Sequence, residues 1–321
     1  MVHKILVTGS SGQIGSELVL SLRSIYGGQN VIASDKNPEA SEKIISSGPF
    51  EQLDVLDREA VSQIIDKYKV DAIVHLAAIL SATGEKNPML AWNVNINGLI
   101  NILELAREKK LTKVLIPSSI AAFGPTTPVD NTPQKTILKP TTMYGVTKVA
   151  GELLADYYVS KYGMDIRGLR YPGIISNETL PGGGTTDYAV AIYYDAVKTG
   201  KFECFLSEKT MLPMMYMPDC LKATIDLFHA DFSKLKNHSD FNVGAFSVTP
   251  EMMAASIKKY IPDFEITYKT DFRQAIADSW PNSIDDSCAR EEWGWQPAFD
   301  LDSMTQDMLN VIGEKHRQGL I

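Results

Sequence analysis

The sequence predicts a doubly wound α/β chain, a parallel sheet between layers of helices, with a smaller C-terminal lobe for substrate. Three observations predict it. A short β-branched run, Lys4-Ile-Leu-Val-Thr8, breaks into the glycine turn Gly9-Ser-Ser-Gly12-Gln-Ile-Gly15 and then into a segment of helical apolar spacing. A second strand pattern, residues 30–35, ends in an acid twenty residues after Gly15. Further short apolar runs alternate with helical stretches, which calls for right-handed crossovers between parallel strands. Ligands on such sheets lie beyond the strand C-termini.

Strand, glycine turn and helix together make a dinucleotide-binding corner. The glycines allow a sharp turn and a close backbone approach, and a pyrophosphate then lies on the helix N-terminus, where free N–H groups favour an anion. Gly9, Gly12, Gln13, Ile14 and Gly15 are therefore the expected cofactor seat. Asp35 stands where a carboxylate bonds the adenosine ribose hydroxyls, and Lys36 follows it. No Arg lies beside Asp35, so NAD is favoured over NADP, whose 2′-phosphate the carboxylate would repel. The Gly-x2-Gly-x2-Gly spacing resembles the Thr-Gly-x-x-Gly-x-x-Gly opening of the extended short-chain dehydrogenase/reductases, which carry the Rossmann fold.

The 321 residues suit a main domain with a smaller lobe. The division expected is 1–175 for the NAD-binding domain, with a return segment near 214–245. Residues 176–213 and 246–321 then belong mainly to the lobe. A formal net charge of −8 argues against nucleic acid or an anionic membrane as partner. Cys204, Cys220 and Cys288 are far apart, which suggests a reducing compartment and neither a zinc site nor a disulfide framework. The five histidines show no metal-ligand spacing, so no metal is expected. No run reaches membrane-spanning length, and the chain opens on a core strand, so a cytoplasmic protein is expected.

Taken in order, Asp54 ends a third strand, and the resemblance implies a bond from it to the adenine amino group. Residues 58–69 read as helix and residues 72–78 as a buried strand. His75 in that strand is expected to be packed or hydrogen-bonded. Leu76, Ala77 and Ala78 resemble the family's small-residue turn against the cofactor. Ser81 follows on the same rim, within reach of a substrate. Residues 89–106 read as one long helix, and Asn95 matches the family's inward-facing asparagine behind the nicotinamide.

The chemical centre comes next. Tyr144 and Lys148 open a helix running to about Tyr162, and at a spacing of four they share a face. An ammonium near a phenol and over a bound nicotinamide favours the phenolate, which lowers the tyrosine pKa from about 10 towards the working range. The resemblance places Ser119 at the neighbouring strand end to hold the substrate oxygen, with Ser118 as its structural neighbour. The order of glycine corner, acid-ended strand, Ser-Ser strand end and Tyr-x-x-x-Lys makes Tyr144, Lys148 and Ser119 the catalytic set.

Residues 164–174 form a sixth strand, and the resemblance implies that Ile174 meets the nicotinamide. Asp219 is expected to cap a helix that returns to the main domain, and residues 283–297 resemble the family's closing segment. Nucleotide-sugar epimerases and dehydratases of this family need a basic diphosphate site. Residues 171–197 contain no Lys or Arg, and Arg273 and Arg290 are the only obvious candidates elsewhere. Instead Leu180-Pro-Gly-Gly-Gly-Thr-Thr-Asp-Tyr-Ala189 offers glycine amides, among them that of Gly184, to a small carboxylate, with hydroxyls from Thr185 and Thr186. Together with Asp278-Ser-Trp280-Pro this resembles the short-chain L-threonine 3-dehydrogenases. The resemblance implies NAD-dependent oxidation of the threonine C3 hydroxyl, with Trp280 walling off the substrate methyl. A nucleotide-sugar enzyme and a non-enzymatic NAD sensor are the alternatives. It also implies a homodimer through a four-helix bundle, with Leu99, Leu103, Leu154 and Tyr158 as surplus apolar positions.

Overall fold

The apolar run that opens the chain becomes an inner strand of a six-stranded parallel sheet. The computed structural model describes residues 2–180 and 182–321; Met1 and Pro181, each inside a motif read above, lie outside the described residues. The first part of the chain runs β1 (Ile5–Thr8), α1 (Gln13–Tyr26), β2 (Val31–Asp35), α2 (Glu42–Ser47), β3 (Phe50–Gln52), α3 (Arg58–Tyr68) and β4 (Ala72–His75). It continues through α4 (Ser81–Lys86), α5 (Pro88–Trp92), α6 (Gly98–Glu108), β5 (Lys113–Leu115), β6 (Ser118–Ser119), α7 (Met143–Tyr162) and β7 (Ile166–Arg167). Then come β8 (Leu169–Tyr171), β9 (Gly173–Ile175), α8 (Tyr188–Thr199), β10 (Lys201–Cys204), β11 (Leu212–Tyr216), α9 (Met217–His229) and β12 (Phe241–Asn242). The chain closes with β13 (Phe246–Val248), α10 (Pro250–Lys258), β14 (Glu265–Tyr268), α11 (Arg273–Ala277), α12 (Ser287–Trp293) and α13 (Leu301–Arg317).

The sheet order is β3-β2-β1-β4-β5-β7. Ile5 pairs with Val31 on one side and with Ala72 on the other, both in parallel register. Every residue of β1 is buried, as a central strand covered on both faces must be. The strand order reverses between β1 and β4, so a crevice opens at their C-terminal ends. Leu6, Ile32, Ile73, Leu103, Val114 and Ile166 share one core under this sheet. A second core, in the lobe, joins Tyr188 and Tyr193 of α8 to Met253, Ile257, Met308 and Ile312.

Two elements differ from expectation. Residues 164–174 make three strands, not one. At Gly168 a Cβ would stand 2.4 Å from the carbonyl oxygens of both Ile116 and Ser239, so the chain is pinched there between two neighbours. β7 therefore stays with the main sheet, β8 pairs with β6 and β12, and β9 pairs with β11. The helix over residues 89–106 is likewise interrupted, because Asn93–Asn97 is wound as a π-helix that carries Asn95. Such turns often mark functional places.

The apolar positions named for a dimer need correction. Leu99, Leu103 and Tyr158 are buried in the monomer's own core, and Leu154 packs partly against it. The outward face of α7 shows instead Leu153, Tyr157 and Tyr162. No helix among the described residues is long and apolar enough to cross a membrane.

Candidate active site

A cleft of about 220 Å³ runs along the C-terminal ends of the strands. One end is the glycine turn: Gly9, Gly12, Gln13, Ile14 and Gly15 line it, with Leu76 and Ala78 opposite. Gly9 has φ +72°, and a Cβ there would stand 2.6 Å from the Ala77 nitrogen, so only glycine lets β1 and β4 come this close. No side chain caps the N-terminus of α1, and no acid sits in its first turn. Its free N–H groups point where an anion is wanted, and the Ser10 and Ser11 hydroxyls nearby are buried without partners. Asp35 is fixed beside them, accepting from the Ser11 N–H at 2.9 Å and the Asn37 N–H at 3.0 Å. Its remaining lone pairs are free for a ribose. Lys36 and Asp54 are joined to each other on the outer rim by an ion pair of 2.8 Å. These residues fit a dinucleotide.

The residues expected to be catalytic, Ser119, Tyr144 and Lys148, line the same cleft together with Ile174. Thr142 caps α7 by accepting from the Gly145 N–H, which fixes the turn carrying Tyr144. The Lys148 ammonium lies 5.4 Å from the centre of the Tyr144 ring and donates to the Pro117 carbonyl at 2.8 Å. In the protein by itself the tyrosine is raised, not lowered. Burial pushes the Tyr144 phenol up to about 12, and the Ser119 hydroxyl pulls it only part of the way back. Burial also brings the Lys148 ammonium down to about 8, against the pull of Glu152. Desolvation therefore outweighs the lysine's effect on the phenol in the protein by itself.

Behind this wall lies a small enclosed cavity of about 30 Å³, lined by His75, Ala77, Asn95, Thr147, Lys148 and Glu152 among others. Ala77 and Asn95 thus face the rear of the site. The Asn95 amide is fully engaged, accepting from the Ile79 N–H at 2.8 Å and donating to the Ile79 carbonyl and the Thr147 hydroxyl. His75 is packed, as expected, with Nδ1 2.8 Å from the Thr8 hydroxyl; burial and the Lys148 charge bring it down to about 3, so it is neutral.

At the substrate end the cleft is lined by Ser81, Gly184, Thr185, Thr186 and Trp280. The Ser81 and Thr185 hydroxyls lie 3.1 Å apart, so the two rims meet. The glycine amides do not face a ligand. Asp187 takes them, accepting from the Gly183 N–H at 3.0 Å and the Gly184 N–H at 2.8 Å. The sequence reading missed Asp187, although an acid just before the apolar helix α8 is an ordinary capping signal. Its carboxyl lines the cleft, and burial raises it against the pull of those amides and of Arg273. Arg273 is paired with Asp271 and Arg290 with Asp286. Among the described residues, Lys148 is the only Lys or Arg in the cleft wall.

Comparison with known proteins agrees with this geometry. Residues 5–244 match the model of the NAD dependent epimerase/dehydratase family. An uncharacterized epimerase/dehydratase of Staphylococcus saprophyticus is 51% identical, over 98% of this chain and 99% of that protein. The structure of an L-threonine dehydrogenase from Clostridium difficile is 55% identical, covers 98% of both chains and superposes with a TM-score of 0.95. A monomeric L-threonine 3-dehydrogenase from a metagenome, in apo form, is 48% identical over 97% of this chain and 99% of its own, with a TM-score of 0.93.

Proposed function

The chain belongs to the NAD-dependent epimerase/dehydratase family, and we propose that it oxidises the C3 hydroxyl of L-threonine to L-2-amino-3-oxobutanoate. It is an oxidoreductase of CH–OH groups that uses NAD. One observation carries the choice of substrate. That end of the cleft is lined by Asp187, Ser81, Thr185 and Thr186, and among the described residues the cleft wall has no cation beyond Lys148. A diphosphate would find nothing basic to neutralise it there, whereas a small zwitterion meets an acid for its ammonium and hydroxyl donors for its carboxylate. Trp280 is buried and lines the same cleft, where it would wall off the substrate methyl.

Gly9, Gly12, Gln13, Ile14 and Gly15 would hold the NAD pyrophosphate, Asp35 the adenosine ribose, and Lys148 the nicotinamide ribose. Bound NAD supplies the hydride acceptor and a positive charge on its ring. Tyr144 takes the proton of the C3 hydroxyl, and Ser119 holds the same oxygen. With the phenol at about 12, a standing phenolate at pH 8 costs about 5 kcal/mol. The phenol can take that proton only as it gives up its own, so the Tyr144 and Lys148 pair must first have lost one proton.

Purified protein given NAD and L-threonine is expected to generate NADH, and NADP to serve poorly; turnover of a nucleotide sugar without threonine turnover would sink the reading. We also propose a homodimer through the outward face of α7, where Leu153 is 64% and Tyr157 50% exposed. Light scattering that finds only monomer at micromolar concentration contradicts the dimer.

A further inference from the structure

Helix α4 is six residues long, yet both of its ends are tied to the turn that carries Tyr144. At the start, Asn95 holds both backbone groups of Ile79 and donates to the Thr147 hydroxyl at 3.0 Å, which in turn donates to the Tyr144 carbonyl at 2.7 Å. At the end, the Glu85 carboxylate accepts from the Met143 N–H at 2.7 Å. Met143 is the first residue of α7 and the neighbour of Tyr144. Between these ties, Gly84 lies against the base itself: a Cβ there would be 4.0 Å from the Tyr144 Cβ.

The opposite side of the same short helix meets the substrate loop. Ser81 pairs with Thr185. A Cβ on Gly183, which has φ +102°, would stand 2.7 Å from the Thr83 hydroxyl oxygen. Lys86 reaches over the Phe272 ring of the lobe at 5.9 Å. Residues 79–86 thus touch both the 183–186 loop and the first turn of α7.

We propose that Glu85 is a positioning residue for Tyr144, and that residues 79–86 transmit the placement of the 183–186 loop to the base. The proposal rests on the assignment of Tyr144 as base. Ordinary capping would explain the Glu85 bond alone, since a carboxylate is favourable at a helix N-terminus. Thr142 takes only the Gly145 N–H and Glu85 takes that of Met143, and Glu85 belongs to an element that also contacts the 183–186 loop. Glu85 is exposed, so its removal is not expected to unfold the protein. A reacting geometry is sensitive on a scale that stability is not, because a misplacement of about 1 Å can cost roughly 100-fold in rate.

The experiment uses the full chain with NAD and L-threonine. Glu85→Ala is expected to lower kcat roughly tenfold while leaving NAD affinity, read by fluorescence titration, unchanged. Glu85→Gln keeps the acceptor and should restore kcat to within about twofold. Combined with Ser81→Ala, the Glu85→Ala loss should be less than the product of the single losses, because both act through one segment. Hydrogen exchange supplies a readout independent of turnover. In Glu85→Ala, exchange should quicken both in the first turn of α7 and in residues 182–186. Unchanged kcat, no rescue by Gln, multiplying losses, or quickened exchange confined to α7 would each overturn the proposal. Failure of the underlying reading looks different: wild-type protein without threonine turnover, or Tyr144→Phe with normal turnover.

Discussion

Lys148 on α7 and Arg170 on β8 are two cations drawn away from water, and the protein treats them in opposite ways. The Arg170 guanidinium is 2% exposed and fully answered. It bonds both oxygens of Glu152, at 2.9 and 2.7 Å, and also the Gln134 carbonyl and the Asn242 side chain. Ser118 donates to the same Glu152. The Lys148 ammonium, half-buried in the cleft wall, has one carbonyl at 2.8 Å, and its pKa falls to about 8. A buried charge costs several kcal/mol unless it is paired and hydrogen-bonded. Arg170 meets that demand and serves the fold. Lys148 does not, and it faces the cleft. The difference teaches where to look for chemistry, because polar groups left short of partners gather where a ligand will complete them.

The largest effect should come from the uncompensated side. Tyr144→Phe should lower turnover by roughly 10²- to 10⁴-fold, the usual worth of a positioned base, and leave NAD affinity nearly unchanged. The pH profile follows from the pair. Burial leaves Lys148 at about 8 and Tyr144 at about 12, so the lysine proton is the first to leave, and a neutral amine can then take the phenol's proton. Removing that proton produces the form able to accept one from substrate, so turnover should rise with pH through a single ionisation below the ordinary tyrosine value. The wild-type kcat/KM measured against pH tests this. If Tyr144→Phe kept near-normal turnover with the same profile, the base would lie elsewhere and the contrast with Arg170 would lose its functional meaning.

The same contrast explains what could be read from residues alone. The glycine corner, Asp35 and the Tyr144–Lys148 spacing are local patterns, and the fold brings them to one crevice because parallel strands end on one side. The direction of the Tyr144 shift was not legible, since it depends on burial by distant segments such as the lobe. Nor was the capture of the glycine amides by Asp187, because a glycine run shows that backbone N–H groups are accessible and not which acid takes them. Leu153 and Leu154 are adjacent on a helix that is apolar on several sides, so spacing could not say which one faces the core.

The smallest effect tests the compensated side. Arg170 has a second carboxylate, Asp240, at 3.3 Å, beyond the one that bonds it twice. Burial lifts the Asp240 carboxyl from 3.8 to about 6; Arg170 lowers it, while Glu152 and Asp156 raise it further. A carboxyl whose folded pKa is raised adds stability that is complete below its unfolded value and is lost as pH rises through the folded one. The ionised Asp240 should therefore cost about 3 kcal/mol above about pH 6, with no cost below about pH 4. Asp240→Asn keeps an acceptor for Arg170 and removes the charge. Urea unfolding should find the variant about 1–2 kcal/mol more stable than wild type at pH 8 and equal to it near pH 4. A loss of about 3–5 kcal/mol at pH 8 would be the signature of a broken buried pair. Arg170 would then need both carboxylates, and its compensation would be far less complete than the Glu152 bonds alone imply.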